Sequence, residues 1–149
     1  QLPHRGRWCC WDKKVVHAAD RVFGNPFELA WTNKTSGYDT MCRIMYGGVV
    51  DADKSGVRRV HPTQKPVALM KWCIEQAPAA RTILDPFMGS GTTGVACIQL
   101  DREFIGIEVD DKFFDIACRR IEAEYKKPRP LFPGRKAKPQ SLWKRKIDD

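Results

Sequence analysis

The sequence predicts an α/β fold, with short apolar strands and amphipathic helices alternating around a mixed, mostly parallel sheet. Three observations predict it. Ile83-Leu84-Asp85 is an apolar run that ends in an acid and passes at once into a glycine-rich turn, Pro86 to Gly94. The segment that follows, about Thr92 to Leu100, has apolar residues at helical spacing. A second apolar run, Phe104-Ile105-Gly106-Ile107, then ends in Glu108, nineteen residues after Gly89. Strand, turn, helix and strand in this order make a βαβ unit, which builds parallel sheets.

In chain order, Arg7 to Trp11 reads as a buried strand leading into Asp12-Lys13-Lys14. Phe27 to Thr32 and Cys42 to Tyr46 read as strands, and Asn25-Pro26-Phe27 as a turn. Asn33 to Thr40 is polar, and Gly47 to Arg59 is a glycine- and charge-rich loop without apolar periodicity. His61-Pro62-Thr63-Gln64-Lys65-Pro66 leads into a helix, with Thr63 expected as its N-cap and Pro66 in its first turn, where a missing N–H costs nothing. Val67, Met70, Ile74 and Ala77 share one face until Pro78 ends the run. After a strand at Thr82 to Leu84 and the Thr92 to Leu100 helix, a last helix runs from Asp111 to Tyr125. Phe113, Ile116, Ala117, Ile121 and Tyr125 fall at helical spacing there, with acids near its start. Its aromatic residues are expected in the core. Packing is also the expectation for Trp8, Trp11 and Trp72; Trp31 stays open, and Trp143 is the tryptophan to test for nucleic-acid contact.

Composition bounds the class. A chain of 149 residues, 42% hydrophobic and 30% charged, can bury one sizeable core. No stretch approaches the ~20 apolar residues of a membrane span, and no signal peptide is visible. The six cysteines, Cys9, Cys10, Cys42, Cys73, Cys97 and Cys118, show no Cys-x-x-Cys spacing, and the three histidines are scattered. No metal site is expected, and the cysteines read as reduced core residues of a cytoplasmic protein. The net charge of +8 is concentrated at one end. Residues 126–149 hold nine basic and two acidic residues, while the preceding 125 hold 17 and 16. With Pro128, Pro130, Pro133 and Pro139 in it, this tail reads as extended or disordered, either touching DNA phosphates or only solubilising the chain.

The glycine turn and the two strand-end acids point to an adenine nucleoside. Backbone N–H groups and an acid at the strand tip face the ligand, and Glu108 is placed to accept hydrogen bonds from both ribose hydroxyls. Gly89-x-Gly91-x-x-Gly94 also satisfies the dinucleotide fingerprint, so a nicotinamide-dependent oxidoreductase fragment stays open. Asp85 favours S-adenosylmethionine, because a carboxylate faces an ammonium group well and a pyrophosphate badly. Lys65, at the helix mouth, could pair with a cofactor carboxylate.

His61 to Pro66 followed by Asp85 to Thr93 resembles the DNA amino-methyltransferases that make N6-methyladenine or N4-methylcytosine, in the permuted order with the catalytic motif first. The resemblance runs from about Leu2 to Tyr125, through Trp8 to Lys13, Glu28 to Asn33 and Gly106 to Asp110. It implies a Rossmann-like methyltransferase sheet with an antiparallel edge hairpin, for which Phe27 to Thr32 and Cys42 to Tyr46 are the candidates, incomplete in this chain, and S-adenosylmethionine as cofactor. It implies a methyltransferase domain over 1–125, with target-recognition loops in 33–60 and the cofactor-binding part in 61–125, and a basic tail over 126–149. Thr63, Lys65, Asp85, Pro86, Phe87, Gly89, Ser90, Gly91, Thr92, Glu108 and Asp110 are then the cofactor-binding candidates, and Arg43, Arg58 and Arg59 the DNA-binding ones. The resemblance implies double-stranded DNA as the partner, as in restriction-modification. The family's Asp/Asn/Ser-Pro-Pro-aromatic tetrapeptide, which orients the target amine and stacks on the flipped base, is absent from the sequence. It belongs before Trp8, so the resemblance implies a form truncated at its N-terminus, with no catalytic residue in this chain. A non-catalytic remnant, a homodimer, or a split subunit whose partner chain supplies the missing segment are the other readings.

Overall fold

The computed structural model describes residues 6–13, 25–34, 37–44, 60–61 and 63–128. The expectations for the Gly47 to Arg59 loop, for Trp143 and for nearly all of the basic tail lie outside these residues. The chain divides into two compact units, Gln1–Arg58 and Arg59–Asp149.

The first unit is a three-stranded sheet of β1 (Arg7–Asp12), β2 (Phe27–Thr32) and β3 (Thr40–Arg43), in the order β2-β1-β3. β1 pairs antiparallel with β2, Arg7 opposite Thr32 and Asp12 opposite Phe27. It pairs parallel with β3, Cys9 opposite Thr40 and Asp12 opposite Arg43. The expected hairpin between the second and third strands is therefore corrected: the antiparallel pair is β1–β2, and β3 lies on the far side of β1. The cause is the polar connection after β2. Arg7 Nη1 donates to Tyr38 O (2.9 Å) and Trp8 N donates to Asp39 Oδ1 (2.8 Å), so residues 38–39 are held against the start of β1 and deliver β3 to its open edge. β3 also starts two residues earlier than expected, at Thr40.

Alternation gives this sheet two unlike faces. Cys9, Trp11 and Cys42 are buried on one, and the Trp11 indole donates to Ile44 O (2.9 Å). Lys13 Nζ sits 5.0 Å from the Trp11 ring and pairs with Glu28 at 2.6 Å. The other face exposes Trp8, Phe27, Leu29 and Met41. Trp8 is 43% exposed, a correction to its expected packing, because it alternates out of phase with Cys9 and Trp11. Lys13 N donates to Pro26 O (2.9 Å), so Asn25-Pro26-Phe27 is the entry into β2.

The second unit contains α1 (Val67–Glu75), β4 (Thr82–Asp85), α2 (Thr92–Leu100), β5 (Glu103–Gly106) and α3 (Asp111–Tyr125). β4 and β5 are parallel, from Thr82 opposite Glu103 to Asp85 opposite Gly106. α2 is the central helix: it packs on α1, α3 and β5, and Thr92 through Cys97 are all buried. Ile74, Met88, Val95, Ala96, Cys97, Phe104, Phe114, Ala117 and Ile121 form one core. Two details correct the sequence expectation. Thr63 does not cap α1; Pro66 is the N-cap, without a side-chain bond, and Thr63 N and Oγ1 turn back to His61 Nδ1 (3.2 and 3.1 Å). A proline holds the residue before it out of the helical region, so the helix cannot reach back past Pro66. On α3 the buried stripe is Phe114, Ala117 and Ile121, because the Asp110 cap sets the phase. Phe113 is half-buried instead, its ring edge-on to His61 at 4.2 Å.

Candidate functional site

Two parallel strands end side by side, and each delivers a carboxylate into the same glycine turn. Ile107 N donates to Asp85 O (2.9 Å) and Met88 N to Ile107 O (3.0 Å), which stitches the two exits together. Asp85 is bound through both oxygens: Oδ1 accepts from Phe87 N (3.0 Å) and Oδ2 from the buried Thr93 hydroxyl (2.6 Å). Glu108 likewise accepts from Gly89 N (2.8 Å) with one oxygen and from Asp110 N (3.0 Å) with the other. An ionised carboxylate offers about four lone-pair sites, so two of those on Glu108 remain for hydroxyl donors.

The turn needs its glycines. Gly89 and Gly91 have φ of +52° and +75°, the left-handed region that β-carbons disfavour. Gly91 is the N-cap of α2, and a Cβ there would stand 2.8 Å from Ala117 Cβ on α3. At Gly89 a Cβ would meet only the His61 ring, at ordinary van der Waals distance, with Nε2 the nearest atom at 3.6 Å. A glycine with positive φ and no crowding at its Cβ position is the form a backbone takes where a ligand comes close.

Ser90 and Thr92, expected to meet the cofactor, are 3% and 6% exposed, and both hydroxyls face inward. Arg120 Nη1 on α3 donates to Ser90 O (2.5 Å), Ser90 Oγ (2.8 Å) and Thr92 Oγ1 (3.3 Å). Pro86 and Phe87 are exposed, and Phe87 at 87% is a bare apolar ring beside the turn. Asp110 caps α3 by accepting from Phe113 N (3.0 Å). The segment before α1 joins the site through Gln64 and His61. Gln64 Oε1 lies 3.4 Å from Ser90 Oγ and accepts from Val60 N (3.2 Å). Thr63 is exposed and Lys65 half-buried on either side of Gln64.

Eight of the sequence candidates, Asp85, Pro86, Phe87, Gly89, Ser90, Gly91, Thr92 and Glu108, thus belong to one turn and its two anchoring acids, and a ninth, Asp110, is the α3 cap whose backbone N–H donates to Glu108. Arg43 lies in the first unit, where its Nε pairs with Asp12 Oδ2 at 3.2 Å. Arg58 and Arg59 fall outside the described residues. Sequence reasoning missed Thr93, Arg120, His61, Gln64 and Phe113 as parts of the site. Thr93 had a signal, a hydroxyl eight residues past a strand-end acid on a buried helix face. Arg120 had none beyond its place next to Ile121. Beneath the turn, burial pushes the Cys97 thiol up to about 12, and the Asp85 charge adds to the shift while Arg102 opposes it.

Residues 11–119 match the family of DNA methylases designated N6_N4_Mtase. Type II methyltransferase M2.DpnII of Streptococcus pneumoniae is 49% identical over 65 residues, 43% of this chain and 24% of that protein. Type II methyltransferase M2.MboI of Moraxella bovis is 49% identical over 61 residues, 40% of this chain and 22% of that protein. The match thus spans about a quarter of the length of these curated relatives. Among solved structures, a putative DNA modification methylase from Thermus thermophilus, complexed with S-adenosyl-L-methionine, aligns with a TM-score of 0.51 at 19% identity. The alignment covers 80% of this chain and 54% of that one, and shows a shared fold.

Proposed function

Because this chain belongs to the N6/N4 family of DNA methylases, we propose that it is the cofactor-binding part of an S-adenosylmethionine-dependent DNA methyltransferase. The reaction is methyl transfer to an exocyclic amine, N6 of adenine or N4 of cytosine, in double-stranded DNA. The nicotinamide alternative falls away with the family match. The observation that carries the reading is the pair of carboxylates, Asp85 and Glu108, both hydrogen-bonded to the glycine turn at the ends of adjacent parallel strands.

The residues suit the ligand. Glu108 keeps acceptor capacity for two ribose hydroxyls. Asp85 supplies negative charge toward the ammonium end, and Lys65 positive charge toward the carboxylate. Thr63 and Asp110 border this end and the ribose end, and the exposed Phe87 ring covers an apolar ligand surface beside the turn. Gly89, Gly91 and the backbone of Pro86, Ser90 and Thr92 shape the floor. When bound, S-adenosylmethionine supplies the electrophilic methyl group; the chain's own residues bind and orient it.

The 149 residues contain no Asp/Asn/Ser-Pro-Pro-aromatic tetrapeptide. For these residues by themselves the proposal is cofactor binding, and transfer requires that element from a longer chain or a partner chain. Within the proposal, 1–125 is the methyltransferase domain with 33–60 reading the DNA target, Arg43, Arg58 and Arg59 are DNA contacts, and the basic tail from 126 adds salt-dependent phosphate contacts. A cytoplasmic location goes with it; among the described residues no helix is long and apolar enough to cross a membrane.

Calorimetry with S-adenosylhomocysteine and, separately, NADH tests the reading. The homocysteine nucleoside should bind and NADH should not. Asp85→Asn, which keeps the size and one acceptor for the Thr93 hydroxyl, should weaken binding at least ~10-fold while the protein stays folded. Heat from NADH alone, or an unchanged affinity in Asp85→Asn, would discard the assignment.

A further inference from the structure

We propose that Arg120 is a positioning residue that sets the shape of the cofactor turn from behind. This rests on the reading of that turn as the S-adenosylmethionine site. One guanidinium nitrogen, Nη1, meets three acceptors on the two residues that flank Gly91: Ser90 O, Ser90 Oγ and Thr92 Oγ1. Both flanking residues are buried, so their polar atoms depend on partners inside the protein. The guanidinium also lies against the first residue of α2, the end where a helix dipole disfavours positive charge. A cation at that end works against α2; what it holds explains its place.

The rest of α3 acts in the same sense. At its start, Asp110 N holds Glu108, and Phe113 meets His61, which stands over Gly89. In its middle, Ala117 and Ile121 abut Gly91 and Gly94 so closely that neither position has room for a Cβ. Arg120 completes the grip by fixing the peptide between Ser90 and Gly91. The cofactor's amino-acid end and its ribose therefore meet a turn whose geometry is set before binding, and the ordering cost that a loose glycine loop would add on association is removed. Arg120 acts through the turn and touches no reacting atom.

The test compares Arg120→Met, which keeps the aliphatic stem and removes the donors, with Arg120→Lys, which restores a charged donor. Two measurements are made on the full chain: calorimetric affinity for S-adenosylhomocysteine, and amide hydrogen exchange of residues 89–92 without ligand. The Met variant should bind at least ~10-fold more weakly, the size of a lost charge-assisted bond, and exchange faster in that turn. The Lys variant should stay within about threefold of the parent. A folded Met variant with parental affinity and parental exchange overturns the proposal. If the parent itself does not bind, the cofactor reading fails separately, and exchange alone decides on Arg120. Should Arg120→Met not fold, Arg120→Gln takes its place: weaker binding with faster exchange of residues 89–92 at an unchanged melting temperature supports the positioning role, and parental affinity with parental exchange rejects it.

Discussion

The two units hold themselves together over different distances along the chain. In Gln1–Arg58 the contacts that fix the sheet join residues 31 to 33 apart: Arg7 with Tyr38, Trp8 with Asp39, Trp11 with Ile44, Arg43 with Asp12. In Arg59–Asp149 the two carboxylates of the site are held over shorter spans: Asp85 with Phe87 and Thr93, two and eight residues on, and Gly89 with Glu108, nineteen on. The burial differs too. The second unit closes one core around α2, whereas the first leaves Trp8, Phe27, Leu29 and Met41 exposed on a whole sheet face. Carboxylate contacts made between near neighbours can be read from sequence; a sheet assembled across thirty residues cannot.

The largest test of this contrast is a pair of truncations. Phe104 is 2% exposed in the core of the second unit, and Phe104→Ala should cost about 3–5 kcal/mol in a urea titration. Leu29, 56% exposed, should lose less than ~0.5 kcal/mol as Leu29→Ala. Comparable losses at the two positions would mean the exposed face of β2 is covered in solution, and the contrast would break.

A second pair sharpens the account within the turn. Gly91→Ala meets both a left-handed backbone and the Ala117 side chain, and should cost ~2–4 kcal/mol, combining strain with overpacking. Gly89→Ala meets the backbone term, about 1–2 kcal/mol, and only ordinary contact with the His61 ring at 3.6 Å. Its larger effect should fall on S-adenosylhomocysteine affinity, since a methyl there intrudes where the ligand would come. If Gly89→Ala binds as the parent does, the ligand does not come close to Gly89.

These pairs also show why some of the fold was legible and some was not. The bounds of β2, α2 and α3, and the joining of Asp85 and Glu108 at one turn, follow from period, caps and glycine placement, all local signals. The place of β3 was not legible, because β1 can pair on either edge and the choice is made by Asp39 and Arg7. The inward aim of Ser90 and Thr92 was hidden for the same reason: in a turn sequence they look like ligand contacts, and only Arg120, thirty residues away, turns them in. Thr63 looked like a cap because its residue type suits one; Pro66 holds that position.

Next in size is an alkaline signature of the second core. Cys97 is fully buried, and its thiol is pushed up to about 12 from an ordinary 9.0. The folded form therefore keeps its proton where the unfolded chain loses it. Stability from this source is complete below pH 9 and is lost as pH rises through 12, roughly 1.4 kcal/mol of it by pH 10. Cys97→Ser should remove much of that slope from a urea series between pH 8.5 and 10.5, at some general loss of stability. Native Cys97 should also resist alkylation longer than the half-buried Cys10. An unchanged slope would assign the alkaline loss elsewhere, Cys42 being the next candidate because burial raises it as well.

The smallest effect belongs to the first unit, at Arg43. Its side chain is 67% exposed, and its pair with Asp12 is a surface pair, worth at most ~1 kcal/mol. Arg43→Ala should leave the melting temperature within a degree or two. Because stability is so little involved, the same variant isolates function. If Arg43 contacts DNA, as proposed, its loss should weaken duplex binding about equally across sequences and reduce the slope of log affinity against log salt by close to one. A parental slope would leave Arg43 as only the partner of Asp12. The strand pairing of β1 with β3 would then be all that this end of the sheet displays, and DNA contact would have to come from other residues of the first unit.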